Sequence, residues 1–399
     1  MGSEWLPAPD AEPHRSLRHR LGGVYRPEYS KRTSSDEPTD ELRGESEESE
    51  PTPFRLCRST WNLLDVIRDA RVLQPEFVPR EVQHRDAEVN QLTNALDPIV
   101  DGERGETAFL FGPSGVGKTC IAQYTVDRLR EAVVDIESQY VNCWQHYSRF
   151  QALYHILEGL NRTTDVHRRS TPHDELLGRL QAYDGPPYVV VLDEVDQLQD
   201  AAVLYDLYRV PNLSMILVAN REEELFVDLD DRVVSRLQSA RRIRFDHYGE
   251  DELVTIMRDR VDWGLDPDSV SDVQLRRIAD AAAGDARVAL GILRNAARDA
   301  TRAGDDTIGD DVVDGAIPGA RREIRQSTVE TLTPHQRTLY DVLDEYGEQS
   351  AGELYDRYTE RVDDPMTRRT VRNYLSKLVQ YDLVISDGEN RARTYRLTR

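Results

Sequence analysis

Gly112-Pro113-Ser114-Gly115-Val116-Gly117-Lys118-Thr119 follows the order GxxxxGK[ST], and Cys120 continues it into a helical run. Glycines in this order let a backbone wrap so that its N–H groups, with the following helix N-terminus, face an anion. Lys118 would reach β and γ phosphate oxygens, and the Thr119 hydroxyl would ligate magnesium. The whole stretch from Gly112 to Cys120 is therefore expected to hold ATP or ADP with Mg2+. A chance match is improbable here, because the chain has only three lysines, Lys31, Lys118 and Lys377, among 51 basic residues.

A second group of residues can complete such a site. Val189-Val190-Val191-Leu192-Asp193-Glu194 is a buried-strand pattern that ends in two carboxylates. A strand ending in Asp-Glu is usually a solvated strand end, but following a phosphate loop it has a use. Asp193 would hold the metal, and Glu194 would orient and activate the attacking water. Asn220 closes the apolar run Met215 to Ala219, where its amide can meet a water or the γ-phosphate. Arg232 and Arg236, and Arg287 in Gly284-Asp285-Ala286-Arg287, are further cations able to stabilise phosphate charge.

These residues need a scaffold, and the pattern supplies one. Short apolar runs at 107–111, 139–143, 188–192 and 213–219 alternate with helical stretches such as 148–160 and 173–182. That alternation predicts an α/β layer with a parallel sheet covered on both faces. After Phe245 the strands stop. Three helical patterns follow, carried by Leu253, Ile256, Met257 and Val261, then by Leu275, Ile278, Ala279 and Ala282, then by Val288, Ile292, Ala296 and Ala300. A break is expected around Ile317-Pro318-Gly319. The predicted organisation is a disordered acidic tail over 1–58, a nucleotide-binding base over 59–246, a helical lid over 247–318 and a last unit over 319–399.

Charge is uneven. The chain carries 73 acidic against 51 basic side chains, a net charge of −22, with 39% hydrophobic residues. So acidic a balance, with lysine nearly absent, fits a protein solvated in concentrated salt. From Pro365 to Arg399, however, eight basic residues face three acids. In the helix predicted to begin near Thr367, Val371, Leu375 and Leu378 form an apolar stripe, and Arg369, Arg372, Asn373 and Ser376 line the opposite one. That stripe suits base edges, Arg to guanine and Asn to adenine. Leu383-Val384-Ile385 and Thr394-Tyr395-Arg396-Leu397 flank a turn at Gly388 like two strands of a wing, with Arg391 and Arg393 set for phosphate or the minor groove. Helix and wing together read as a winged helix for double-stranded DNA; an arginine-rich solvated helix is the plain alternative.

Nothing in the chain reaches the roughly 20 apolar residues of a membrane helix, so no membrane partner is expected. Cys57, Cys120 and Cys143 are too few and too scattered for a disulfide framework or zinc cluster, and read as reduced cytosolic thiols.

The order of phosphate loop, Leu-Asp-Glu-Val-Asp strand end, Asn-tipped strand, Ser-Arg-Leu segment, Gly-Asp-Ala-Arg helix and C-terminal DNA-binding unit resembles the archaeal replication initiators. These are AAA+ ATPases related to the origin-recognition complex large subunit and the cell-division-control loader. Phe77-Val78-Pro79-Arg80, His84-Arg85-Asp86 and Tyr140-Val141-Asn142-Cys143 add to the likeness. It implies Val78, Pro79 and Arg85 around the adenine, Asn220 as first sensor and Arg287 as second. Arg236 or Arg232 becomes the finger acting on a neighbour's nucleotide. It also implies slow ATP hydrolysis, partnership with other initiator subunits and the replicative helicase, and a second DNA contact from an inserted segment between Asn142 and Tyr188, where Arg149, Arg162, Arg168 and Arg169 lie. A nucleotide-gated transcription regulator and a clamp-loader-like assembly ATPase share enough of these parts to stay open.

Overall fold

The computed structural model describes residues 66–133, 135–167, 171–222, 234–235, 237–388 and 393–398. The tail expected over 1–58 lies outside them. The base is built in the order α1 (Asp86–Leu96), β1 (Ala108–Phe111), α2 (Lys118–Ala132), β2 (Glu137–Asn142), α3 (Arg149–Gly159), α4 (His173–Gln181), β3 (Tyr188–Asp193), α5 (Ala202–Tyr208), β4 (Leu213–Ala219) and β5 (Arg241–Arg244). Its five strands pair in the order β2-β3-β4-β1-β5, all in parallel.

Every residue of β3 and β4 is buried, because the two faces of these strands serve two different cores. Val190, Leu192, Met215 and Leu217 pack with Leu153, Ile156 and Leu204 on one side. Val189, Val191, Ile216 and Val218 pack with Leu92, Leu96, Ile121 and Leu129 on the other. Truncating one of these to Ala would cost about 2–5 kcal/mol. The central position of β3 and β4 sets the C-terminal ends Asp193 and Asn220 beside the loop that leaves β1, where ligands bind open α/β sheets.

β5 is not among the strands read from the sequence. Arg241-Arg242-Ile243-Arg244 buries Ile243 alone, so it lacks an apolar run, yet it completes the sheet edge beside β1.

Four helices form the lid: α6 (Glu250–Gly264), α7 (Asp272–Ala282), α8 (Ala286–Ala303) and α9 (Asp310–Thr331). Their common core contains Leu253, Met257, Leu275, Ile278, Ile292, Ala296 and Val313. Val66 and Leu73 also join this core, and Ile67 bridges Leu265, so the segment just before α1 packs on the lid although it precedes the base in sequence. The break expected at Ile317-Pro318-Gly319 does not occur, and the boundary drawn at 318 falls inside α9. Proline there forfeits one backbone hydrogen bond, but Val313 and Ala316 before it and Ala320 after it are all buried in packing that spans the proline.

The last unit holds α10 (Pro334–Tyr346), α11 (Ala351–Thr359) and α12 (Arg368–Gln380), with strands β6 (Gln349–Ser350), β7 (Val384–Asp387) and β8 (Thr394–Leu397) in the antiparallel order β6-β8-β7. Leu339, Leu343, Leu354, Tyr358, Val371, Leu375 and Leu378 make its core. Among the described residues no helix is long and apolar enough to cross a membrane.

Candidate functional site

The loop from Gly112 to Gly117 joins β1 to α2 in a backbone path that side chains would block. A Cβ on Gly112, at φ +153°, would stand 2.2 Å from the Phe245 carbonyl oxygen. One on Gly115, at φ +72°, would overlap the Asp285 carboxylate. Asp285 caps α8, accepting from the Val288 N–H at 3.0 Å, while the Ala286 N–H donates to the Gly115 carbonyl at 3.0 Å. The lid is thereby fastened to the phosphate loop at the residues just before Arg287, which is itself exposed.

Lys118 is buried, and its Nζ donates to the carbonyls of Gly112 at 2.7 Å and Pro113 at 2.5 Å and to Asn220 Oδ1 at 3.0 Å. Burial pulls its pKa down to about 8. The Thr119 hydroxyl donates to Asp193 Oδ2 at 2.8 Å. A hydroxyl and a carboxylate at this distance are both hard oxygen donors, and magnesium in such sites takes one or two protein oxygens, with phosphates and water completing the set. The residues present fit that ion.

Asp193 accepts two further bonds, from the Tyr140 hydroxyl at 2.7 Å and from the Glu194 N–H at 2.9 Å. Glu194 adopts a left-handed backbone, φ 53° and ψ 44°, at a cost of roughly 1–2 kcal/mol for a residue with a Cβ. Its carboxyl is raised to about 8, first by burial and then by the neighbouring Asp193 and Asp196 carboxylates, against which Arg287 and Lys118 pull it down. A carboxyl so perturbed, beside a loop lysine and a lid arginine, has the properties of a general base.

On the other side of the loop, Val78 and Pro79 are half-buried in an irregular segment ahead of α1. The neighbouring Phe77 ring lies 4.7 Å beneath the Arg260 guanidinium, and Arg260 is within electrostatic reach of Cys120. Arg85 is buried and engaged by protein groups. It pairs with Glu88 at 2.9 Å, donates to the Asp246 carbonyl at 2.7 Å and lies 4.0 Å from the centre of the Tyr248 ring. Its position supports Tyr248, whose hydroxyl stands 2.8 Å from where a Gly117 Cβ would be. Both finger candidates, Arg232 and Arg236, lie outside the described residues.

In the C-terminal unit, Thr367 caps α12 by accepting from the Thr370 N–H. Val371, Leu375 and Leu378 are buried while Arg369, Arg372, Asn373 and Ser376 are exposed, so the stripe read from sequence is one face of the helix. Arg393 is exposed just ahead of β8, and Arg391 lies outside the described residues. Arg149 pairs with Asp200 and Asp206, at 3.2 and 2.5 Å, and Arg168 and Arg169 lie outside the described residues. Sequence reasoning gave no role to Tyr248 or Tyr381. A lone aromatic at a helix end or in a loop carries no local mark of the distant residue that it meets.

Comparison with known proteins agrees with this architecture. The family model described as AAA ATPase domain matches residues 81–218, and that described as Cdc6 AAA+ ATPase-type lid domain matches 254–317. Over 332 residues the chain is 53% identical to ORC1-type DNA replication protein 9 of Halobacterium salinarum, covering 83% of this chain and 94% of that one. It is 56% identical over 308 residues to ORC1-type DNA replication protein 1 of the same organism, covering 77% of this chain and all of the other. Among solved structures, the Aeropyrum pernix ORC1 protein in complex with DNA superposes with a TM-score of 0.65 at 28% identity, over 83% of this chain and 93% of that chain.

Proposed function

The chain belongs to the ORC1-type DNA replication protein family, with an AAA+ ATPase domain and a Cdc6-type lid, and on that footing we propose that it is an ATP-switched initiator. It binds duplex DNA at replication origins through α12 and the β7–β8 wing of a winged helix, and it helps to recruit or load the replicative helicase. The observation that carries this reading is the coexistence of a complete phosphate-and-carboxylate site with an exposed Arg-Arg-Asn face on a buried-stripe helix.

Within the site, the loop N–H groups and Lys118 bind and neutralise phosphate, with Arg287 approaching from the lid. A magnesium ion held by Thr119 and Asp193 would offset the charge on the β and γ oxygens. Glu194 accepts the proton of the attacking water, and Asn220 orients that water against the γ-phosphate. ATP becomes ADP and phosphate. Turnover is slow in a lone subunit, because the finger arginine must come from a neighbour.

This assignment has a pH signature. Hydrolysis needs Glu194 deprotonated and Lys118 protonated, and burial pushes the first up and pulls the second down, each to about 8. kcat/KM should therefore rise as Glu194 loses its proton and fall as Lys118 loses its own, in a bell centred near pH 8. Glu194→Gln should keep ATP affinity and lose hydrolysis. A profile flat from pH 6 to 10 in steady-state assays would remove Glu194 from the role of base.

Crosslinking the protein in its own cells and sequencing the recovered DNA tests the function as a whole. Repeats flanking an AT-rich unwinding region support initiation, whereas isolated promoter operators support a transcription regulator.

A further inference from the structure

A continuous chain of hydrogen bonds runs from the C-terminal unit into the nucleotide site. The Trp144 indole N–H, just beyond β2, donates to Gln336 Oε1 of α10 at 3.2 Å. Gln336 Nε2 donates to Gln197 Oε1 at 3.3 Å, in the turn after Glu194. Gln197 Nε2 donates to the Tyr381 hydroxyl at 3.2 Å. That same hydroxyl, at the end of α12, accepts from Asn220 Nδ2 at 3.2 Å, while Asn220 Oδ1 accepts from Lys118. Gln336 and Gln197 are buried. The Tyr381 ring lies 4.3 Å from that of Trp144, and Lys377, one turn earlier on α12, donates to the Asp196 carbonyl. The junction is therefore a hydrogen-bonded chain closed by ring packing, beside which Asp196 Oδ1 is buried without a partner.

We propose that Tyr381 is a positioning residue for the nucleotide site, its hydroxyl fixing the Asn220 amide so that the helix presenting the DNA-reading face also orients the sensor. The proposal rests on the reading of Asn220 as a nucleotide-site residue. An amide offers one acceptor and one donor end, so its two neighbours decide which way round it sits. Lys118 holds the acceptor end only while its ammonium points into the loop. Once Lys118 turns to phosphate, Tyr381 is the partner that keeps Nδ2 on its own side and leaves Oδ1 facing the attacking water. Burial and the nearby Glu194 and Asp196 carboxylates push the Tyr381 phenol well above its ordinary pKa, so it stays a neutral hydroxyl across the working range. Arg369 and Tyr381 lie on one helical segment about 20 Å long. A shift of α12 against DNA at one end is carried to the hydroxyl at the other, and by linkage nucleotide state must bias DNA affinity equally.

Tyr381→Phe removes the hydroxyl and keeps the ring. In the full-length protein, single-turnover ATP hydrolysis should fall about three- to tenfold, as expected for one lost orienting hydrogen bond. ATP affinity and nucleotide-free DNA affinity should match wild type, while the melting temperature should fall by a few degrees, because Gln197 Nε2 and Asn220 Nδ2 lose the acceptor they share. The ratio of DNA affinities with and without a non-hydrolysable ATP analogue, different from one in the wild type, should move towards one. In an Asn220→Ala background the Tyr381→Phe change should have no further effect on the rate, since its target is gone. Wild-type hydrolysis in Tyr381→Phe, full additivity in the double mutant, or no nucleotide dependence of DNA affinity in the wild type would each overturn the proposal. Lys118→Ala, measured alongside, separates the two levels: if it binds ATP normally, the nucleotide-site reading itself fails, whatever Tyr381 does.

Discussion

Lys118→Ala should bind ATP two to three orders of magnitude more weakly than wild type, measured by isothermal calorimetry on the purified protein. The ammonium is buried among carbonyl oxygens and the Asn220 amide, in surroundings where its contact with phosphate is poorly screened by water. Deleting one partner of a buried charge pair costs about 3–5 kcal/mol, because the other charge is left without compensation. The free protein should lose little stability. Burial already works against the charged form of Lys118, as its lowered pKa shows, so removing the ammonium relieves a desolvation cost while it removes three hydrogen bonds. Normal ATP affinity in a folded Lys118→Ala protein would sink the phosphate-loop assignment.

The phosphate loop was legible because its chemistry is local. Eight consecutive residues fix both the backbone path and the ligand, and the strand end at Asp193-Glu194 needs only a buried apolar run before it. The face of α12 was legible for a similar reason, since Val371, Leu375 and Leu378 recur at the helical period and force Arg369, Arg372 and Asn373 outward. What stayed hidden depends on partners far away in sequence. Ile243 alone carries the burial of β5, so only pairing with β1 makes it a strand. Pro318 reads as a break until Ala316 and Ala320 are seen buried on either side. The junction made by Trp144, Gln197, Gln336 and Tyr381 brings together residues as distant in sequence as Trp144 and Tyr381, and glutamines and aromatics of this kind occur anywhere on a surface. For Arg85 the resemblance implies a place around the adenine, while its protein partners are Glu88, the Asp246 carbonyl 161 positions away and Tyr248 beyond it, and the distant two carry no local mark.

Changing both Arg369 and Arg372 to Ala should cost about one to four orders of magnitude in specific origin affinity, since each good bidentate base contact contributes roughly 1–3 kcal/mol. Both side chains are exposed and on the face opposite the buried stripe, so the domain should stay folded, with a change in stability within about 0.5 kcal/mol. ATP affinity should not move, because α12 meets the nucleotide site at its far end, through Lys377 and Tyr381. Arg393→Ala, ahead of β8, should instead weaken binding to all sequences about equally, as loss of a phosphate contact does. Anisotropy titrations against origin and scrambled duplexes, at one fixed salt concentration, separate the two behaviours. Base readers lower the ratio of the two affinities, whereas a phosphate contact lowers both and leaves the ratio alone. If the double mutant remains folded and binds origin DNA like wild type, α12 is not the reading helix, and its basic face belongs to a protein partner of an assembly ATPase.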